Sequence, residues 1–140
     1  MSYGTVSGVA ALSAQWTDSG VFTSSTKPTV SQVTQWLEDV STSLDIALSD
    51  FGFSTPITAT AILPSLNLLV QGIVKELVDY SHGAGRFYVK KALEGGISPF
   101  MIIDKELHEW VERKAIGLRA KGAGVDDDTI GRKVATFDLF

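Results

Sequence analysis

The sequence contains no cysteine, which removes disulfides, thiolate nucleophiles and cysteine-based zinc sites together. It has two histidines, His82 and His108, so there is little material for metal chemistry. No uninterrupted apolar run reaches the roughly 18 residues that a membrane-spanning helix needs. The opening stretch MSYGTVSGVAALSAQW lacks a basic start and a proper apolar core, so no signal peptide is read. Basic residues are scarce up to Gly85, where Lys27 and Lys75 face seven acidic residues for a net −5. From Arg86 onward ten basic and nine acidic residues give +1, which makes the whole chain −4. That balance does not describe a nucleic-acid-binding protein, which carries a clustered basic face. Phosphate loops, dinucleotide fingerprints and nucleophile elbows are likewise missing; Gly83-Ala84-Gly85 is a turn signal without the third glycine or a preceding strand.

What is present is apolar surface. The 140 residues are 44% hydrophobic and 20% charged, with a mean hydropathy of +0.16. A chain of this length buries one core and not two. These features describe a cytoplasmic, metal-free, weakly acidic single domain with an apolar excess that needs a use.

Hydrophobic periodicity predicts an all-α fold: a small bundle of about four to five helices with two long central helices and an extended C-terminal tail. A short first helix spans Thr5 to Leu12, capped by Thr5, with Val9 and Leu12 on one face. A polar loop around Gly20 to Lys27 follows. Thr29 and Gln32 form a Thr-x-x-Gln capping box. After it, Val30, Val33, Leu37, Val40, Leu44, Ala47 and Phe51 recur at spacings of 3 and 4, a heptad pattern for a helix of about 21 residues ending at Gly52. Pro56 marks a break, and Pro64 sits in the first turn of a second long helix. Its stripe of Leu66, Leu69, Ile73, Leu77 and Tyr80 is widened by Val70, Val74 and Val78. A helix so widely apolar is central in a bundle or buried in a partner. Gly83 and Gly85 stop or kink it. Residues 86–94 form a short helical candidate, and Ser98-Pro99 is a helix-start pair. The last helix starts at Pro99 or Asp104, turns Ile103, Leu107, Trp110, Val111, Ala115 and Leu118 to one side, and ends near Gly122. The predicted organisation is a helical domain over 1–121 and an extended tail over 122–140. That tail combines Asp126-Asp127-Asp128 with Phe137, Leu139 and Phe140, and a disordered tail is usually poor in aromatics.

Each group with chemical potential has an ordinary reading beside the functional one. His108 and Glu112, like Glu109 and Arg113, are four residues apart and read first as solvated helix-face pairs rather than an acid–base couple. His82, next to Asp79 and Tyr80, reads as a helix-end histidine. The triple aspartate lacks the spaced ligands of a calcium loop. Arg86, Lys90 and Lys91 form the tightest basic cluster; pairing between subunits ranks ahead of phosphate contact. Trp16, Trp36 and Trp110 read as core or interface anchors. Intersubunit interface candidates are therefore Trp36, Arg86, Lys90, Lys91, Trp110 and Arg113. No catalytic, cofactor-binding or metal-binding residue is assigned, and the chain does not read as an enzyme.

Several stretches resemble the head–tail connector (adaptor) proteins of tailed double-stranded DNA bacteriophages. The likeness runs from Tyr3-x-Thr5-Val6-x-x-Val9-Ala10-Ala11-Leu12, through Gly20-Val21-Phe22 and Thr26-Lys27-Pro28-Thr29-Val30-Ser31-Gln32-Val33, to Leu44-Asp45-Ile46-Ala47-Leu48. It continues in Phe51-Gly52-Phe53, Pro56, Leu77-Val78-Asp79-Tyr80 and Gly83-Ala84-Gly85-Arg86-Phe87, so that residues 3–118 are covered. Its weight lies in the order and spacing of these stretches. The resemblance implies a virion protein of the phage neck, made in the host cytoplasm. Its subunits form a ring, commonly of twelve, beneath the portal protein. The ring extends the DNA channel and offers a platform to a downstream neck or tail protein. DNA passes the lumen without specific binding, and neither catalysis, cofactor nor membrane is involved. Composition adds that Phe137, Leu139 and Phe140 dock on the portal or a neighbouring molecule. The alternative is a small all-α interaction or regulatory module outside any virion. A stopper or tail terminator is disfavoured by the long heptad helix, and a helical enzyme subunit with catalytic groups supplied elsewhere ranks last.

Overall fold

The structure is a computed structural model that describes residues 2–93, 96 and 98–125. Among these residues it is all helical. Five α-helices run in the order α1 (Val6–Leu12), α2 (Val30–Asp50), α3 (Leu63–Ser81), α4 (Gly85–Leu93) and α5 (Pro99–Ala120), with a 3₁₀ turn at Ala14–Trp16 after α1. The two long central helices are α2 and α3. The heptad positions of α2 point inward: Val33, Leu37, Val40, Leu44 and Ala47 are buried, and α2 packs against both α3 and α5.

The helix ends follow local chemistry. The Thr29 side chain accepts from Gln32 N at 3.2 Å, and Thr5 caps α1 through Gly8 N at 3.0 Å. Ser98 caps α5, which starts at Pro99 rather than Asp104. The C-termini of α2, α3 and α5 share one device. In each, a glycine with positive φ (Gly52, 88°; Gly83, 71°; Gly122, 95°) lets the chain turn into the left-handed region. The next residue then donates back to the carbonyl five positions earlier: Phe53 to Leu48, Ala84 to Asp79 and Ala123 to Leu118, each at 3.0 Å. This is the Schellman arrangement, and it satisfies carbonyls that the helix leaves open. It also makes α4 a helix separate from α3.

The wide apolar stripe of α3 is used inside the chain. α1, α2 and α4 all pack on α3, so Val70, Val74 and Val78 are as buried as Leu66 and Leu77. Of the consecutive Leu68, Leu69 and Val70, only Leu68 faces outward, 67% exposed. Leu12 also departs from expectation. It is half exposed rather than paired with Val9 in the core. α1 stops there, turns through Ser13 into the 3₁₀ segment, and buries Val9 and Ala10 instead.

The N-terminal segment is locked into the bundle. Tyr3 is 1% exposed; its hydroxyl donates to Asp45 Oδ1 at 2.6 Å and accepts from Ile57 N at 2.9 Å. Tyr3 N donates to Ser41 Oγ at 2.8 Å, Gly4 N to Asn67 Oδ1 at 2.8 Å, and Thr5 N to Gln71 Oε1 at 3.0 Å. Gly8 makes room for this clamp, because a Cβ there would stand 2.3 Å from the Gln71 amide. After α5 the chain stays on the body to Val125: Ala123 is buried, Gly124 O accepts from Ser54 N at 2.9 Å, and Val125 bridges Phe53. Asp126 to Asp128 and Phe137, Leu139 and Phe140 lie outside the described residues.

Candidate functional site

α3 and α5 both pack on α2 and far less on each other, which leaves a trough between them. Its deeper part, about 290 Å³, is lined by Leu69, Ile73, Arg86, Glu106, Trp110 and Arg113 among others. A second part, about 190 Å³, lies towards the C-terminal end of α5, between Ile62 and Ser65 on one side and Trp110, Lys114, Gly117, Leu118 and Lys121 on the other. The partly buried indole of Trp110 belongs to both.

Charges close one end of the trough. Arg86, at the start of α4, reaches Glu106 of α5 with Nη1 2.5 Å from Oε1, and the same oxygen lies 3.3 Å from Lys90 Nζ. Arg86 also stands 4.0 Å from Glu76 of α3 and covers the Phe87 ring at 4.4 Å. Burial pushes the Glu106 carboxyl up, but the two cations outweigh it and hold the group below the usual carboxylate range. Lys91 points elsewhere and donates to Tyr80 Oη at 2.9 Å. The basic cluster is thus largely spent within the chain, on Glu106, Glu76 and Tyr80. By contrast, Arg113, Lys114 and Lys121 have no carboxylate within ion-pair distance among the described residues. The two pairs suggested by spacing are not formed: His108 turns from Glu112, and no ion pair joins Glu109 to Arg113 among the described residues.

Two further polar groups tie elements together. His108 lies between Asp50, the last residue of α2, and Asp104 of α5, with Nε2 2.7 Å from Asp50 Oδ2 and Nδ1 2.8 Å from Asp104 O. The Asp104 carbonyl first and the Asp50 carboxylate second raise the imidazole above its ordinary value. At the other end of the bundle, Trp16 stacks on His82 at 3.7 Å and 5°. The Trp16 indole donates to Asp79 Oδ1 at 3.2 Å, and Lys75 Nζ meets Asp79 Oδ2 at 2.6 Å. His82 Nε2 also bonds Lys27 O at 2.7 Å. The histidine at the helix end therefore fastens two loops.

Of the six interface candidates, Arg86, Trp110 and Arg113 come together at the trough, and Lys90 joins them through Glu106. Trp36 sits apart on α2, partly buried against the core. Sequence reasoning missed Tyr3, Asp45 and Asp79. An aspartate inside the heptad of α2 and one among the valines of α3 were the available signals, since a carboxylate on an apolar face needs a buried partner. Large apolar side chains also remain outside the core. They are densest around α4 and the start of α5, where Tyr88, Val89, Leu93, Phe100 and Met101 are 44–80% exposed. Among the described residues, no three His, Asp or Glu side chains are grouped to hold a metal ion, and no helix is long and apolar enough to cross a membrane.

Compared with protein-family models, curated proteins and solved structures, the chain shows no match to any of them.

Proposed function

We propose that this chain is a structural subunit of a phage neck, a head–tail connector (adaptor) that forms a ring under the portal, extends the DNA channel and joins head to tail. The observation that carries the reading is the outward apolar surface of α4 and the start of α5. Val89 and Leu93 stand one helical turn apart, 54% and 80% exposed, and so share a face. Phe100 and Met101, 44% and 65% exposed, present further apolar surface at the start of α5. Monomeric proteins rarely leave large contiguous apolar patches uncovered. In a closed ring the contacts are heterologous, so this face meets a different face of the next subunit. Ile46 on α2 and Ile116 on α5, 53% and 82% exposed, supply apolar surface elsewhere. The order and spacing of the stretches that resemble connector proteins support the same reading.

In this proposal the acidic surplus of residues 1–85 faces the lumen, where it repels DNA phosphates and lets the duplex slide. Phe137, Leu139 and Phe140 dock the assembled ring on the portal. The deciding experiment is mass measurement of the purified protein, alone and mixed with portal. A ring on the portal, commonly of twelve copies, is expected. A monomer or dimer under both conditions would overturn the proposal and leave the alternative of a small all-α interaction module.

A further inference from the structure

We propose that in the unassembled chain residues 126–140 fold back onto the chain's own trough between α3 and α5, seating Phe137, Leu139 and Phe140 against Trp110. The inference goes beyond the ring and does not depend on it. Three observations point to this occupant.

The first is position. Ser54 and Phe53 fasten Gly124 and Val125 to the body, so residue 126 leaves from the end of α5. The wall of the smaller trough compartment is the last part of that same helix, at Lys114, Gly117 and Lys121. The path from Lys121 back to Trp110 is roughly 16 Å along a helix. Residues 126–140 span up to about 50 Å when extended, enough to reverse direction and cover it.

The second is charge. The trough is lined by Arg86, Arg113, Lys114 and Lys121 against Glu106 and Glu109, a cationic surplus. Glu106 is taken by Arg86 and Lys90, and Arg113, Lys114 and Lys121 have no carboxylate within ion-pair distance among the described residues. The segment begins Asp126-Asp127-Asp128 and places Asp138 between its apolar anchors. Opposite charges then fix how the segment is placed in the groove.

The third is shape. The compartment is apolar along Ile62, Leu118 and the Trp110 indole, and it is open at Gly117, where a Cβ would meet nothing within 4 Å among the described residues. An aromatic ring can therefore lie flat against the helix backbone there, much as apolar anchors fill grooves in peptide recognition.

The absence of cysteine makes the test direct. In full-length chain, Ser65→Cys with Leu139→Cys places one thiol on the exposed rim of the trough and one on the segment. A control pairs Leu139→Cys with Ser25→Cys, in the exposed loop before α2. Under mild oxidation of dilute protein, the trough pair is expected to close within one molecule about tenfold faster than the control, as its effective concentration is higher. Equal rates would overturn the proposal, and so would disulfide-linked dimers, which would assign the trough to a second copy. In the second arm, Phe137→Ser/Leu139→Ser/Phe140→Ser in the full chain is followed by the indole N–H resonances. The Trp110 signal, assigned with Trp110→Phe, is expected to move while that of Trp36 stays. An unmoved Trp110 signal would overturn the proposal. Neither readout requires ring formation, so its failure is distinguishable from failure of the connector reading.

Discussion

Replacing Tyr3 by Phe removes one oxygen atom from the core and leaves the ring in place. Two groups lose their partner. Ile57 N–H, on a residue 2% exposed, loses the hydroxyl that accepts from it, and Asp45 Oδ1 loses its 2.6 Å donor. A buried N–H without an acceptor costs about 1–3 kcal/mol. Asp45 is only partly buried and regains some water, so its share is smaller, roughly 1 kcal/mol at neutral pH. The expected loss is about 2–4 kcal/mol, and urea unfolding followed by tryptophan fluorescence reads it. With a slope of roughly 2 kcal/mol/M, the midpoint falls by about 1–2 M while the slope stays constant. The pH dependence gives a second handle. Burial raises the Asp45 carboxyl above its ordinary value, and the Tyr3 hydrogen bond lowers it part of the way back. A raised folded-state value means that the folded chain binds the proton more readily. The charged form is then a penalty at neutral pH that disappears as pH falls through the folded-state value. Without Tyr3 Oη the folded-state value moves higher still, so the gap between Tyr3→Phe and wild type should narrow as pH falls below the Asp45 value. A loss under about 0.5 kcal/mol, the usual range for an inconsequential surface change, would refute the accounting. A gap that widens on acidification would refute the assignment to Asp45.

Other consequences follow from single sites. The His108–Asp50 link is present at pH below the ordinary histidine value and is lost as pH rises through the raised folded-state value; both groups are partly exposed, so thermal melts of wild type and Asp50→Asn should differ by up to about 1 kcal/mol at low pH and converge at high pH. Ser13 Oγ is buried with no hydrogen-bond partner among the described residues, so Ser13→Ala should stabilise the chain by about 1 kcal/mol in chemical denaturation. Two glycines should respond with opposite signs: Gly72→Ala places its Cβ in open space inside a helix and gains about 0.5–1 kcal/mol, whereas Gly52→Ala forces a left-handed turn at φ 88° and loses about 1 kcal/mol or more.

The contrast between α2 and the N-terminal clamp shows which parts of the fold were legible from residue order. α2 was readable end to end, because a Thr cap, a heptad and a terminal glycine are all local signals. The start of α5 and the separation of α4 from α3 were open choices, and the structure resolved both. The breadth of the α3 stripe was visible, but not its use. Only the packing of α1, α2 and α4 around it shows that Val70, Val74 and Val78 serve the chain's own core, so the apolar surplus to be explained shifts to α4 and the start of α5. The cluster of Arg86, Lys90 and Lys91 was equally visible, yet Glu106 lies in another helix, and that pairing exists only once α4 and α5 meet.

The sequence by itself determined the all-helical class, the caps and most of the inward faces, because these depend on residues within a turn or two of each other. The tertiary structure decided which polar groups meet: Tyr3 with Asp45 and Ile57, His108 with Asp50, and Arg86 with Glu106. It also decided that α3 and α5, both drawn onto α2, leave a trough with Trp110 at its centre. Such contacts join residues 20 to 58 positions apart, and their geometry is set by how the helices cross, which no local pattern of residues encodes.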